Sequence, residues 1–310
     1  MKKIAIIIPC YNEEEVLSFF YEEVKKHFLS EYDFKLVFVD DGSRDKTLEK
    51  IKALSEKDEN VKYLSFSRNF GKEAAMFAGL EAAKKLNVDA AILIDADLQD
   101  PPSLIPEMLR YYSEGYKHIY TKHKTRKGEP FLKTIFAMMF YKTYSKLTGN
   151  QNMTRGARDF CLLDRDVIEA FLSVKDYRRF TKGIFTWVGF EKKCIEFDYV
   201  PRVAGKTKWS FKKLFHYALL GIKQFSHVYL LLPNLLIFLC LLLIAGEIGL
   251  GIYQQFNFLA LRIEFLALLI LIGIKYLMRL IYDVRDQGLN RPIYLTKDTN
   301  IVGNIYDKIS

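Results

Sequence analysis

The sequence predicts an α/β protein with a mostly parallel sheet, followed by a helical region that anchors the chain to a membrane. Three observations carry this. Short β-rich apolar runs alternate with longer helical stretches through about the first 115 residues, each run ends in polar residues, and the last third holds two long apolar stretches with basic flanks. Alternation of this kind implies right-handed crossovers and a sheet covered on both faces.

The first strand is read at Ile4 to Ile8. Its Met1-Lys2-Lys3 start resembles a signal peptide, but the apolar run is short and breaks at Pro9 into Tyr11-Asn12-Glu13-Glu14-Glu15, so a buried strand is expected instead. Further strands are expected at Lys35 to Val39, Val61 to Phe66 and Ala90 to Ile94, each strongly apolar as for strands buried on both faces. Helices fit between them at Glu14 to Phe28, Asp45 to Ser55 and Lys72 to Lys85. Another is expected after Pro101-Pro102, where proline suits a helix start. Ligands on such sheets bind at the carboxyl ends of the strands, so the polar ends should converge on one site.

Residues 116–210 mix strand and helix signals and contain a basic turn, Lys122 to Lys127. Phe131 to Leu147 alternates aromatic and basic residues at helical spacing, which suits a membrane-interface helix or an ordinary amphipathic core helix. Trp209 to Gln224 repeats the pattern and leads straight into apolar sequence, which favours the interface. Val228 to Tyr253 exceeds the roughly 20 residues that cross a bilayer. A second span, Leu259 to Ile281, is interrupted or flanked by Arg262, Glu264, Lys275 and Arg279, whose long basic side chains can reach the interface. Lys212, Lys213 and Lys223 precede the first span and Arg279, Arg285 and Arg291 follow the second, so both termini and the catalytic domain are expected on the cytoplasmic side. The expected organisation is therefore a catalytic domain at 1–210, an interfacial helix at 211–227, two transmembrane helices at 228–283 and a cytoplasmic tail at 284–310.

Lys and Arg number 46 against 37 Asp and Glu, a formal charge of +9 that suits anionic partners. The basic clusters beside apolar runs point to a membrane and not to nucleic acid. Cys10, Cys161, Cys194 and Cys240 are far apart and form no Cys-x-x-Cys pair, so neither a zinc site nor a disulfide framework is expected, which fits a reducing compartment.

Asp95-Ala96-Asp97-Leu98-Gln99-Asp100 sets two carboxylates two residues apart just past a buried strand, where extended geometry points both the same way. Such a pair suits a hard divalent cation that completes its shell with water and a nucleotide diphosphate. A lone Asp-x-Asp reads more simply as a solvated turn; three other polar strand ends beside it weigh against that. Asp40-Asp41-Gly42-Ser43 ends the second strand. Gly42 permits a tight turn, and two adjacent carboxylates exceed what a capped turn needs. Ser67 to Lys72 closes the third with a cation and a helix N-terminus that could face a phosphate.

Taken in order and spacing, Pro9-Cys10-Tyr11-Asn12-Glu13, Asp40-Asp41-Gly42-Ser43, Arg68-Asn69-Phe70-Gly71-Lys72 and Asp95 to Pro102 resemble the family 2 glycosyltransferases of GT-A fold. More narrowly, the chain resembles polyisoprenyl-phosphate glycosyltransferases, which include the bactoprenol glucosyltransferases and dolichol-phosphate mannose synthases. Later segments agree: Arg126-Lys127-Gly128-Glu129, Arg158-Asp159-Phe160, Arg179 to Gly183 with Trp187 and Gly189-Phe190, Arg202 with Gly205 to Lys208, and Arg291-Pro292. Lys182 and Cys161 depart from the family pattern, Lys182 standing where Arg is expected and Cys161 where a basic residue is usual.

The resemblance implies that Pro9, Tyr11, Glu13, Asp40 and Asp41 hold the nucleoside, with Lys72 also on the sugar nucleotide. It implies that Asp95, Asp97 and Gln99 hold Mg²⁺ or Mn²⁺ and the diphosphate, and that Asp159 lies at the reaction centre. A lipid-phosphate acceptor is largely dianionic at neutral pH, so Asp159 is weighed as an orienting residue against a general base. Arg126, Lys133, Arg178, Arg179, Lys182, Arg202, Lys206 and Lys208 are the expected cations for the acceptor phosphate, any one of which could instead face solvent or lipid headgroups. The expected activity is inverting transfer of a hexose from a nucleotide sugar, UDP-linked, to undecaprenyl phosphate at the cytoplasmic membrane face. A homo-oligomer is compatible with this reading. The rival readings are a processive polysaccharide synthase, which should carry Gln-x-x-Arg-Trp and more spans, and an idle scaffold that recruits a flippase or transferase, which Asp95, Asp97 and Asp159 argue against.

Overall fold

The structure is a computed structural model that describes residues 1–124, 131–148, 156–177, 179–198, 211–226, 231–251 and 259–301. Its centre is a sheet of eight strands: β1 (Lys2–Cys10), β2 (Tyr32–Asp40), β3 (Val61–Phe66), β4 (Ala90–Leu93), β5 (His118–His123), β6 (Ala157–Asp164), β7 (Lys192–Phe197) and β8 (Thr296–Thr299). They lie in the order β7-β5-β6-β4-β1-β2-β3-β8. The expected parallel core is present, since β4, β1, β2 and β3 run parallel. β6 then pairs antiparallel with β4 and β5, and β7 returns parallel to β5.

Alternation along β1 shows why the sheet needs cover on both faces. Ile4, Ile6 and Ile8 enter one core with α1 (Leu17–Lys25), α2 (Thr47–Lys57) and α4 (Ile105–Ser113). Ala5 and Ile7 enter the other with α3 (Lys72–Lys85), α6 (Arg165–Ser173) and α7 (Thr181–Trp187). α1 and α2 begin two to three residues later than the sequence suggests because the intervening backbone is tied elsewhere. The amides of Asn12 and Glu13 donate to Ser43 Oγ at 2.9 Å and Thr47 Oγ1 at 2.8 Å, so the first two strand ends are stitched together before either helix starts.

α3 is small-residue-rich and sits tight on the sheet. A Cβ on Gly79 would lie 2.2 Å from Ile7 Cγ2, so only glycine allows this approach. α5 (Phe131–Thr148) and α8 (Phe211–Phe225) pack against each other, and α8 reaches α3 through a Tyr217–Glu73 hydrogen bond. α8 is seated through notches: a Cβ on Gly221 would meet the Phe180 ring at 2.8 Å, and one on Gly183 would meet Phe225 at 2.4 Å. The helix predicted for the interface is therefore also bonded into the catalytic domain.

α9 (Leu231–Gly251) and α10 (Leu259–Gly288) follow and touch each other near Gly273 and Leu236. Among the described residues, Phe265–Arg285 of α10 is long and apolar enough to cross a membrane, and α9 contributes a shorter apolar helix, Pro233–Leu243. Ile237, Phe238, Leu241, Leu271 and Ile281 are each more than half exposed, which calls for an apolar surrounding.

One boundary needs correction. Residues 284–310 were expected to form a tail, but α10 runs to Gly288 and the chain then rejoins the sheet as β8, antiparallel to β3. The return is held at several points. Ser67 N donates to Leu295 O at 2.9 Å, Tyr294 stacks on Phe66 with ring centroids 4.8 Å apart, and Asn300 exchanges side-chain bonds with the backbone of Tyr63 and Val61 at 2.8 and 3.0 Å. The chain leaves the domain after α8 and comes back to it after α10.

Gly79→Ala should destabilise the domain by about 1–3 kcal/mol, since buried Ile7 has no room to yield. Thermal unfolding of the detergent-solubilised protein checks this; an unchanged midpoint would show that α3 can lift off the sheet without cost.

Candidate active site

The carboxyl ends of β1, β2, β3 and β4 border one cavity of about 760 Å³. Pro9, Tyr11, Glu13, Asp41, Lys72, Asp95 and Asp97 line it, as the sequence suggests. Asp40 and Gln99 do not. Asp40 is buried and engaged in its own turn, accepting from Ser43 N at 3.0 Å and Ser65 Oγ at 2.7 Å. Successive residues at a strand end point to opposite sides, so only one of the two adjacent carboxylates can face the cavity, and it is Asp41. The amide of Gln99 donates to Asp97 Oδ1 at 3.1 Å, closing the turn that presents Asp97.

Asp41 organises the loop after β3. Its Oδ1 accepts from Phe70 N at 2.6 Å, and its Oδ2 accepts from Gly71 N at 2.9 Å. The loop comes so close that a Cβ on Gly42 would lie 2.4 Å from the Arg68 carbonyl carbon, and Gly42 itself takes φ +65°. Burial pushes the Asp41 carboxyl up to about 6, against the pull of the two amides.

Lys72 opens α3 and bridges two carboxylates. Its Nζ donates to Asp95 Oδ2 and to Asp159 Oδ2, each at 2.7 Å. Lys182 Nζ lies 3.7 Å from Asp159 Oδ1 and donates to Ala157 O at 2.8 Å. Burial disfavours the Asp159 anion, but Lys72 and Lys182 outweigh it and hold this carboxyl well below the usual range. The two ammonium groups thus favour the charged form of Asp159. Next to it Arg158 makes a bidentate pair with buried Asp100, Nε to Oδ1 at 2.8 Å and the second guanidinium nitrogen to Oδ2 at 3.1 Å.

The cations expected for an acceptor fare differently. Lys182 is at the centre. Arg126, Arg178, Arg202, Lys206 and Lys208 lie outside the described residues, as does the side chain of Lys133. Arg179 borders the cavity but is 3% exposed, sandwiched between Phe77 and Phe171 at 4.5 Å from each ring, and donates to the carbonyls of Phe171 and Val174. It closes the C-terminus of α6.

Sequence reasoning missed the far wall, which is built by Tyr177, His216, Tyr217, Leu220 and Ile293. His216, Tyr217 and Leu220 sit on α8 and Ile293 follows α10, so the segments that lead into and out of the apolar helices both border the cavity. No local signal marks these residues; only the tertiary return of the chain brings them here.

The Asp41 carboxyl also sets a pH dependence. Between its ordinary 3.8 and about 6, the folded chain keeps a proton that the unfolded chain has released, so this group's contribution is fully present below about 4 and is lost as pH rises through about 6. Asp41→Asn should flatten that part of the stability profile, read from unfolding midpoints across this window; an unaltered slope would place the titration elsewhere.

Residues 5–172 match Glycosyl transferase family 2. CsbB of Bacillus subtilis (strain 168) is 36% identical, over 96% of this chain and 92% of its own. A prophage bactoprenol glucosyl transferase homolog of Escherichia coli (strain K12) is 40% identical over 72% of each chain, and the bactoprenol glucosyl transferase of Shigella phage SfV is 39% identical over the same shares. A crystal structure of glucosyl-3-phosphoglycerate synthase from Mycobacterium tuberculosis, solved with Mn²⁺, uridine diphosphate and phosphoglyceric acid, shares the fold at TM-score 0.50 and 15% identity, over 70% of this chain and 75% of that one. With the GT-A arrangement of its sheet and site, this chain belongs to glycosyl transferase family 2 and is a glycosyltransferase.

Proposed function

We propose that the protein transfers a hexose with inversion from a nucleotide sugar, UDP-linked, to a polyisoprenyl phosphate such as undecaprenyl phosphate, at the cytoplasmic face of a membrane. The observation that carries this reading is the composition of the cavity wall: strand-end carboxylates on one side, and on the other α8 and Ile293, which flank the apolar helices. A site bordered by the chain's way into and out of a membrane suits one water-soluble and one bilayer-confined substrate. The names of the Escherichia coli and Shigella phage relatives support the same acceptor class.

In the proposed reaction a phosphate oxygen of the acceptor attacks the anomeric carbon while the bond to the nucleoside diphosphate breaks, the leaving group taking the bonding electrons. Tyr11, Glu13 and Asp41 border the nucleoside side; Asp41 sets the Arg68–Gly71 loop through its amide bonds. Asp159 orients the incoming group. A base is not needed there, because the acceptor is already largely dianionic and the Asp159 carboxyl is held strongly acidic. Lys182, with the basic residues of 126–133, 178 and 202–208, is proposed for the acceptor phosphate.

Asp95 and Asp97 fit Mg²⁺ or Mn²⁺. Both offer hard oxygen donors to the cavity, and an ammonium already lies against Asp95 Oδ2. When bound, such an ion would neutralise charge that develops on the leaving diphosphate.

Both α9 and α10 are proposed to span the bilayer, as a hairpin. The support is a parity argument. β8 lies on the same sheet as β1 to β4, so the chain returns to the side it left, and the number of crossings between α8 and β8 is even. If α10, which is apolar enough to cross, spans the bilayer, the same parity asks α9 to span it too, which supports the hairpin. The basic flanks support a cytoplasmic domain.

Purified protein incubated with undecaprenyl phosphate, Mg²⁺ or Mn²⁺ and a panel of UDP- and GDP-sugars should form a glycolipid, with UDP-sugars preferred; no product from any donor would sink the reading. Asp97→Asn should lower turnover by about 100-fold or more while the protein stays folded and membrane-bound, and EDTA should do the same. For the hairpin, a cysteine placed at Gln255 should react with a membrane-impermeant maleimide from outside intact cells. Reaction only in inverted vesicles would rule the second crossing out.

A further inference from the structure

α3 connects the reaction centre to both segments that flank the apolar helices. At its start Lys72 holds Asp95 and Asp159. The next residue, Glu73, also borders the cavity but is bonded to different partners. Its Oε1 accepts from Tyr217 OH of α8 at 2.6 Å, and its Oε2 accepts from Thr181 N at 3.0 Å and also from Thr181 Oγ1. Two turns on, Glu81 Oε2 accepts from Tyr294 OH at 2.7 Å, on the segment that follows α10. Each end of one helix is thus bonded to a tyrosine on one side of the membrane passage.

α3 has little freedom to absorb movement at these points. Its residues from Ala74 to Leu80 are all buried, and Gly79 fixes its height over β1. Tyr217 is equally constrained, its ring 4.8 Å from that of Phe180, the residue on which α8 rests at Gly221. A shift of α8 against the domain therefore reaches Glu73 directly, and Glu73 is covalently next to Lys72.

We propose that Glu73 is a positioning residue: through Tyr217 it couples the seat of α8 to the hold of Lys72 on Asp95 and Asp159, so that sugar transfer depends on this contact while donor binding does not. The inference rests on the transferase reading above. It assigns α8 a second task besides facing the membrane, namely to set the carboxylates for the acceptor it admits. The bland alternative, that Glu73 only ties helices together for stability, predicts a different pattern of defects.

The test compares the wild type with Tyr217→Phe, which removes one hydroxyl and keeps the ring on Phe180, with Glu73→Gln, and with the double variant. Readouts are glycolipid turnover, donor KM, and the unfolding midpoint in the same detergent. Each single variant should lower kcat by roughly tenfold, with donor KM within about twofold and the midpoint unchanged. The double variant should be no worse than the poorer single, because both changes remove one contact. Unchanged kcat in Tyr217→Phe overturns the proposal. So does a loss that tracks a falling midpoint or a rising donor KM, since it reduces Glu73 to a structural or donor-site residue. If Glu73→Gln fails to fold, Tyr217→Phe alone decides. A wild type that makes no glycolipid instead defeats the functional reading, and the two failures are thereby distinct.

Discussion

The structure is organised by the problem of gathering carboxylates at one edge of a parallel sheet. Asp41, Asp95, Asp97, Asp100 and Asp159 all arrive at strand ends, where like charges repel and burial removes water that would screen them. Each is held by a different device. Asp41 takes backbone amides, Asp97 takes the amide of Gln99, Asp100 takes the fork of Arg158, and Asp95 and Asp159 share the ammonium of Lys72. The loop after β3, the first turn of α3 and the start of β6 are therefore fixed by the charges they neutralise. α3 is the central piece because it supplies Lys72 and closes over the sheet at Gly79.

The second constraint is closure of the sheet edge. Without β8, β3 would present an unpaired edge beside the cavity. The chain covers it with residues that come after α10, so the two apolar helices are enclosed within the sequence of the domain, not appended to it. Such enclosure restrains α8 and the 289–295 segment at both ends, which makes the cavity mouth a defined passage between two tethered walls.

Much of this was legible in the sequence, and the failures have physical reasons. The strands β1 to β4 and α3 were readable because burial on both faces leaves unbroken apolar runs and the polar ends stand out against them. Asp40 and Asp41 could not be told apart, since alternation assigns opposite directions to neighbours without saying which faces the cavity. Arg179 was read as a phosphate cation because nothing nearby in sequence reveals that Phe77 bracketed it from α3. β8 carried no signal at all: Thr-Lys-Asp-Thr has no apolar alternation, and its strand character comes from the edge that β3 offers. Tyr217 and Ile293 are invisible for the same reason, being made part of the site only by the return of the chain.

Charge balance at the centre indicates how the two substrates have to be accommodated. Asp95, Asp100 and Asp159 are paired with Lys72, Arg158 and Lys182, and Asp41 and Asp97 add further carboxylates to the same strand ends. A nucleotide diphosphate and a lipid phosphate each add more, in a place where part of the screening water is gone. The existing cations cannot offset this, because each is already hydrogen-bonded to a carboxylate or a carbonyl. Positive charge has to come with the substrates or from the walls. The proposed divalent ion, held by Asp95 and Asp97, would supply it on the donor side. On the proposed reading the site would become balanced only when donor, cation and acceptor are together, which would disfavour reaction of the donor before the acceptor is in place.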